Sequence, residues 1–173
     1  MTAANLEIER KFRLRGAPSA ADLAAHDAVP LQLEQVYLAN PDPGVAERVR
    51  RTTTADGRVT YRHTVKRRVA AFSFDERETV ITEADWIDAL RRADPLRRPV
   101  RKTRFVVPHG LQHLEIDVFE QPAGLVVVEV ELRDAAEVVT LPAWVGEWRE
   151  VTGDPRYLNA SLARPEALIP PFD

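Results

Sequence analysis

The sequence predicts an α+β protein: a closed, eight-stranded antiparallel β-barrel with a charged interior and flanking helices. Three observations lead there. Segments at 6–14, 32–38, 45–53, 58–67, 72–81, 101–108, 112–120 and 125–133 have strand character, most of them alternating with period two. Most gaps between them are short and carry turn residues, as hairpins require. Finally, one face of strand after strand is charged, in both signs, while the other face is largely apolar.

Taken in order, the first strand places Glu7, Glu9 and Lys11 on one face and Leu6, Ile8 and Phe12 on the other. Ser19 is a candidate N-cap for an Ala-rich helix reaching His26. The second strand ends at Leu38, before the turn Asn40-Pro41-Asp42-Pro43-Gly44. The third carries Arg48 and Arg50 opposite Val49. Asp56-Gly57 forms a hairpin tip into the fourth, where Arg62, Thr64 and Lys66 oppose Val59, Tyr61 and Val65. Glu76 and Glu78 mark the fifth. Thr82 then caps a helix whose first turn is acidic and whose apolar stripe is Trp86, Ala89 and Leu90. Lys102 and Arg104 oppose Phe105 and Val107 in the sixth strand, and a tip at His109-Gly110 leads to the seventh, with Glu115 and Asp117. Gln121-Pro122-Ala123-Gly124 leads to the eighth, where Glu129 and Glu131 alternate with Val126, Val128, Val130 and Leu132. Pro142 opens a short helix through Trp144 and Trp148, and another runs over 159–163, ending before Pro165. The three tryptophans read as packing residues.

Bulk properties narrow the class. The 173 residues suit one domain, 1–173, with a sizeable core. A net charge of −3, from 24 basic and 27 acidic side chains, argues against general nucleic-acid binding. No cysteine is present, so neither a disulfide framework nor a thiolate zinc site is expected. His109 and His113 flank a turn but leave a metal site incomplete. The chain shows no leader pattern and no apolar run of membrane-spanning length, so a cytoplasmic protein that does not engage a membrane is expected.

The charged rows carry the chemistry. One such row alone would read as the wet face of a sandwich. Rows of both signs across seven strands suit the lining of a barrel, because buried charges must pair, bind ions or stay wet. Arginine forks and lysine ammoniums suit phosphate. Carboxylates without cysteine or paired histidine suit a hard cation such as Mg²⁺ or Mn²⁺.

These residues resemble the CYTH superfamily, the triphosphate tunnel metalloenzymes. The resemblance starts with the E-x-E-x-K strand at Glu7, Glu9 and Lys11. It continues through Gln35-Val36-Tyr37-Leu38, Arg48-Val49-Arg50, Thr64-Val65-Lys66, Glu76-Arg77-Glu78, Lys102-Thr103-Arg104-Phe105, the Glu115 to Phe119 and Gly124 to Leu132 strands, and the segment from Val151 to Asn159. Arg67 and Arg68 after the T-x-K lysine, Phe74, and Leu114 depart from the usual pattern.

The resemblance implies divalent-metal-dependent hydrolysis of inorganic triphosphate, the preference of the short bacterial members with a Lys-x-Arg pair. It implies metal binding by Glu7, Glu9, Glu129 and Glu131, with Asp117 and Glu115 as helpers. It implies triphosphate binding by Lys11, Arg48, Arg50, Lys66, Lys102 and Arg104. Glu7, Glu9, Lys102 and Arg104 are the expected catalytic set, acting as water attacks a terminal phosphorus. Adenylate cyclase, thiamine or nucleoside triphosphatase, and a non-catalytic polyphosphate-binding module are the alternatives. Both a monomer and a homodimer are compatible with this reading.

Overall fold

A computed structural model describes residues 8–40, 42, 44–70, 73–134 and 136–172. Among the described residues, nine strands form one antiparallel sheet: β1 (Ile8–Leu14), β2 (Val29–Leu38), β3 (Val45–Thr54), β4 (Val59–Ala70), β5 (Ser73–Ile81), β6 (Val100–His109), β7 (Gln112–Phe119), β8 (Val126–Leu132) and β9 (Trp148–Glu150). Their spatial order is β5-β4-β3-β2-β6-β7-β8-β1-β9. Short α-helices accompany them: α1 (Ala20–Ala25), α2 (Glu83–Leu90) and α3 (Asn159–Leu162).

The α+β class and antiparallel pairing match the expectation, but the closed eight-stranded barrel does not. The hydrogen-bonded order has two ends among the described residues, β5 and β9. The reason lies in β1. One edge pairs with β8, and the other pairs with β9 through Phe12↔Glu150, Arg13↔Arg149 and Leu14↔Trp148. No edge of β1 at those positions remains to receive β5. The sheet nonetheless curls, because Lys11 of β1 and Lys66 of β4 line one cavity.

Local chemistry explains most boundaries. Ser19 caps α1, its hydroxyl accepting from the Asp22 amide at 3.1 Å. Thr82 and Asp85 form a reciprocal capping box at the start of α2. Trp86 and Ala89 of α2 are buried, whereas Leu90 faces solvent. Gly57 and Gly110 take positive φ (82° and 62°) at their hairpin tips, a conformation costly for residues with a Cβ. The expected helix through Trp144 and Trp148 stops short. A 3-10 turn covers Ala143–Val145, Gly146 turns at φ 83°, and Trp148 enters β9. Trp148 then packs edge-on against Phe12, with ring centroids 5.3 Å apart, and remains substantially exposed.

Three apolar clusters hold the sheet. Phe12, Leu14, Val107, Leu114, Ile116, Val128 and Val130 pack with Leu23 of α1 and with Leu141 and Val145. Val36, Leu38 and Val49 pack beneath Trp86 and Ala89. Tyr37, Val100, Phe119 and Val127 pack against Val151, Tyr157, Leu162 and Ala163. Tyr37 and Val127 share strand parity with Gln35 and Glu129, so this last cluster fills one end of the concave face. Among the described residues no helix is long and apolar enough to cross a membrane.

Candidate functional site

Period-two geometry delivers the charged rows to the concave face, around a cavity of 510 Å³. All six predicted phosphate-binding bases line it: Lys11, Arg48, Arg50, Lys66, Lys102 and Arg104. Glu9, Glu129 and Glu131 line it too, as does Glu115. Glu7 lies outside the described residues. Asp117, expected as a metal ligand, is not a lining residue; it is fully buried beneath Lys102 and Arg104.

The acids are contiguous on β1, β8 and β7. Register sets Glu9 opposite Glu131, and Glu129 opposite both Lys11 and Glu115. Lys11 Nζ bridges Glu9 at 3.1 Å and Glu129 at 2.9 Å. Burial works to lower the Lys11 pKa, but Glu129 and Glu9 outweigh it and raise it. Burial works to raise Glu129, but Lys11, Lys102 and Arg104 hold it well below the usual carboxylate range. Glu115 is pushed up by burial and by Glu129 and Asp117, against the pull of Arg104. Glu131 has no ion-pair partner among the described residues. Like charges placed directly opposite repel, so Glu9 with Glu131 and Glu115 with Glu129 form places where a cation lowers the energy. Among the described residues no three of these acids already converge as a ligand set.

Asp117 organises the neighbouring bases. Arg104 donates Nε to its Oδ1 at 2.6 Å and Nη2 to its Oδ2 at 2.7 Å, a bidentate fork. Lys102 Nζ donates to the same carboxylate. Arg104 also reaches Glu129 Oε2 at 2.7 Å and pairs with Glu115. Burial lowers the Lys102 pKa, and nearby Arg104 adds to this against Asp117.

Across the cavity, β5 carboxylates steady the bases of β3 and β4. Lys66 pairs with Glu76 at 2.8 Å, while Arg50 and Arg62 share Glu78 at 3.1 and 2.6 Å. The pairing is incomplete. The buried Nε atoms of Arg48 and Arg50 have no hydrogen-bond partner among the described residues. Burial lowers the Arg50 pKa, with Arg48, Arg104 and Arg62 adding repulsion against Glu78. Crowded cations with an unused buried donor on each of two arginines suit an anion.

The charge alternation misses much of the remaining lining. Gln35 donates to the Tyr37 hydroxyl at 2.9 Å, and both residues line the cavity. The irregular segment after β9 contributes Thr152, Asp154, Pro155, Leu158 and Asn159. Thr152 Oγ1 accepts from the Lys11 amide at 2.9 Å, and Asn159 Oδ1 accepts from Lys102 Nζ at 3.5 Å. No periodicity marks that segment; its place in the ordered series from Glu7 to Asn159 is the sequence signal that reaches it.

The ordered motifs and this converging lining agree with the comparisons to known proteins. A profile of the CYTH domain matches residues 5–164. The chain belongs to the CYTH domain family. An inorganic triphosphatase of Acetivibrio thermocellus is 51% identical over 51 residues, covering 29% of this chain and 31% of that protein. That match thus spans under a third of the relative's own length. A solved inorganic triphosphatase, NE1496, is 32% identical, with a TM-score of 0.59 over 91% of this chain and 93% of its own. PH1012 of Pyrococcus horikoshii OT3 is 22% identical, with a TM-score of 0.52 over 75% of this chain and 79% of its own, a likeness of fold alone. In this CYTH domain the E-x-E-x-K strand supplies Glu9 and Lys11 to the cavity, and the Lys102-x-Arg104 pair faces it from β6.

Proposed function

We propose that this CYTH domain hydrolyses inorganic triphosphate to pyrophosphate and phosphate within the curled sheet, with help from a divalent cation. One observation carries the reading: six bases and five carboxylates of the described residues line a single cavity, with unused buried arginine donors among them. The likeness to NE1496 across nearly the whole chain supports inorganic triphosphate as substrate.

Arg48, Arg50 and Lys66 grip the phosphate chain from β3 and β4, while Lys11, Lys102 and Arg104 grip it from the other side. These cations are held in place before substrate arrives, so they neutralise charge growing on the departing pyrophosphate with little rearrangement. Asp117 acts as the buried anchor that orients Lys102 and Arg104. Glu9, Glu129 and Glu131, with Glu7 preceding them, are the hard oxygen donors that suit Mg²⁺ or Mn²⁺. Their facing like charges fit a cation there. Such an ion, when bound, supplies charge neutralisation on the phosphates and acidifies water.

Phosphate release from tripolyphosphate is the test, run with Mg²⁺, with Mn²⁺ and with excess chelator, beside ATP and thiamine triphosphate. Metal-dependent release with tripolyphosphate preferred is the expected outcome. Cyclic AMP formed from ATP overturns the reading in favour of a cyclase. Tight tripolyphosphate binding without hydrolysis overturns it in favour of a binding module.

A further inference from the structure

Arg97 belongs to none of the charged rows and lines no part of the cavity, lying in the link between α2 and β6. Yet its side chain ties together two parts of the lining that are distant in sequence. Its guanidinium lies 5.0 Å from the centroid of the Tyr37 ring. Its Nη1 donates to the Ala160 carbonyl at 3.0 Å, and its Nε donates to Asp94 Oδ2 at 3.1 Å. The Asp94 amide in turn donates to the carbonyl of Tyr37 at 2.9 Å. Arg97 thus holds Tyr37 by its ring and, through Asp94, by its backbone.

Each end of this clamp leads to a phosphate-facing base. Tyr37 stands directly opposite Arg48 in the register of β2 and β3. Ala160 follows Asn159, whose Oδ1 accepts from Lys102. The next arginine reinforces the same join, the Arg98 amide donating to the Ala163 carbonyl at 2.8 Å. We propose that Arg97 is a positioning residue that sets the separation of the Arg48 and Lys102 sides across the filled end of the cavity. It thereby fixes how a triphosphate chain is gripped. This rests on the triphosphate reading of the site. Only a planar guanidinium can stack on a ring while donating from its edges in two directions; an ammonium cannot reproduce that geometry.

The experiment compares Arg97→Met and Arg97→Lys with the unaltered protein. Three quantities are read: tripolyphosphate kinetics with thermal midpoints, calorimetric binding of tripolyphosphate, and the ultraviolet titration of Tyr37, identified by difference from Tyr37→Phe. Arg97→Met is expected to raise KM and the dissociation constant by roughly 10- to 100-fold. Its kcat should stay within about threefold. Arg97→Lys should recover little of the binding. Burial raises the Tyr37 pKa while Arg48 and Arg97 oppose that rise, so Tyr37 should titrate higher in Arg97→Met. It should titrate near its original position in Arg97→Lys.

A purely structural role would instead lower the thermal midpoint and the active fraction, leaving KM and binding unmoved. That result overturns the proposal, as does binding within about twofold of the original in both variants. If the unaltered protein fails to hydrolyse tripolyphosphate, the functional reading falls. Calorimetric binding of tripolyphosphate then still decides the role of Arg97.

Discussion

Replacing Asp117 by asparagine tests the electrostatic logic of the site most directly. Asp117 has no exposed surface and receives hydrogen bonds from Lys102 and from two nitrogens of Arg104. Asparagine keeps one acceptor oxygen and turns an NH₂ toward donors, so two buried cations lose their shared counter-charge. Removing one partner of a buried ion pair costs about 3–5 kcal/mol. Arg104 retains Glu129 and Glu115. Lys102, already depressed by burial, is left with the charge of Glu129 and the weaker contact to Asn159, so its pKa falls further in the folded state.

That last step predicts a pH signature. A lysine whose folded pKa lies below its unfolded one makes the unfolded state bind more protons between the two, so stability rises with pH there, by about 1.4 kcal/mol per unit at most. Urea unfolding at pH 7 and pH 9 reads both effects. The Asp117→Asn variant should lose about 3–5 kcal/mol at pH 7 and less than that, relative to the unaltered protein, at pH 9. A loss below about 1 kcal/mol, or an identical loss at both pH values, would refute the reasoning.

Three further expectations follow from the same geometry. Glu129→Gln should lower tripolyphosphate turnover by roughly 100-fold with unchanged circular dichroism, and full activity would remove Glu129 from the site. Glu129 is depressed, so its stabilisation is present above the unfolded carboxylate value and is lost as pH falls through its folded value. Urea midpoints should therefore drop between pH 7 and pH 3, and drop less in Glu129→Gln; equal drops would count against this. Arg50→Ala should raise KM by roughly 10- to 100-fold, the loss of charge-assisted contacts of about 1.5–3 kcal/mol. Its stability should change little, because Glu78 retains Arg62 and cation crowding is relieved; an unchanged KM would take Arg50 out of the grip. Trp86→Ala should cost about 3–5 kcal/mol of stability through a cavity beneath α2, and a loss under about 1 kcal/mol would contradict its place in the core.

Strand parity proved readable because a strand has only two faces. Once Glu9 and Lys11 are set opposite Phe12, or Lys102 and Arg104 opposite Phe105, the apolar partners decide which face meets the packed side. Thr82 and Ser19 were legible as caps because their bonds close within three residues. The edge pairing was not legible. A segment as short as Trp148–Glu150 carries too little alternation to distinguish a strand from a helix, yet it occupies the edge of β1 that a closed barrel needs. Asp117 shows a related limit. Its parity places it with the cavity-facing acids, but depth and hydrogen-bond partners set it beneath Lys102 and Arg104.

By itself, the sequence determined the antiparallel strand class and the charged faces, because alternation and turn chemistry act over a few residues; the resemblance to the CYTH superfamily singled out the six bases and most of the acids on those faces. Tertiary structure alone decided that the sheet has two ends among the described residues, that Asp117 anchors Lys102 and Arg104, and that Arg97 bridges Tyr37 to Ala160. Those outcomes depend on which distant segments meet and on how deeply each charge is removed from water, and neither is encoded in local spacing.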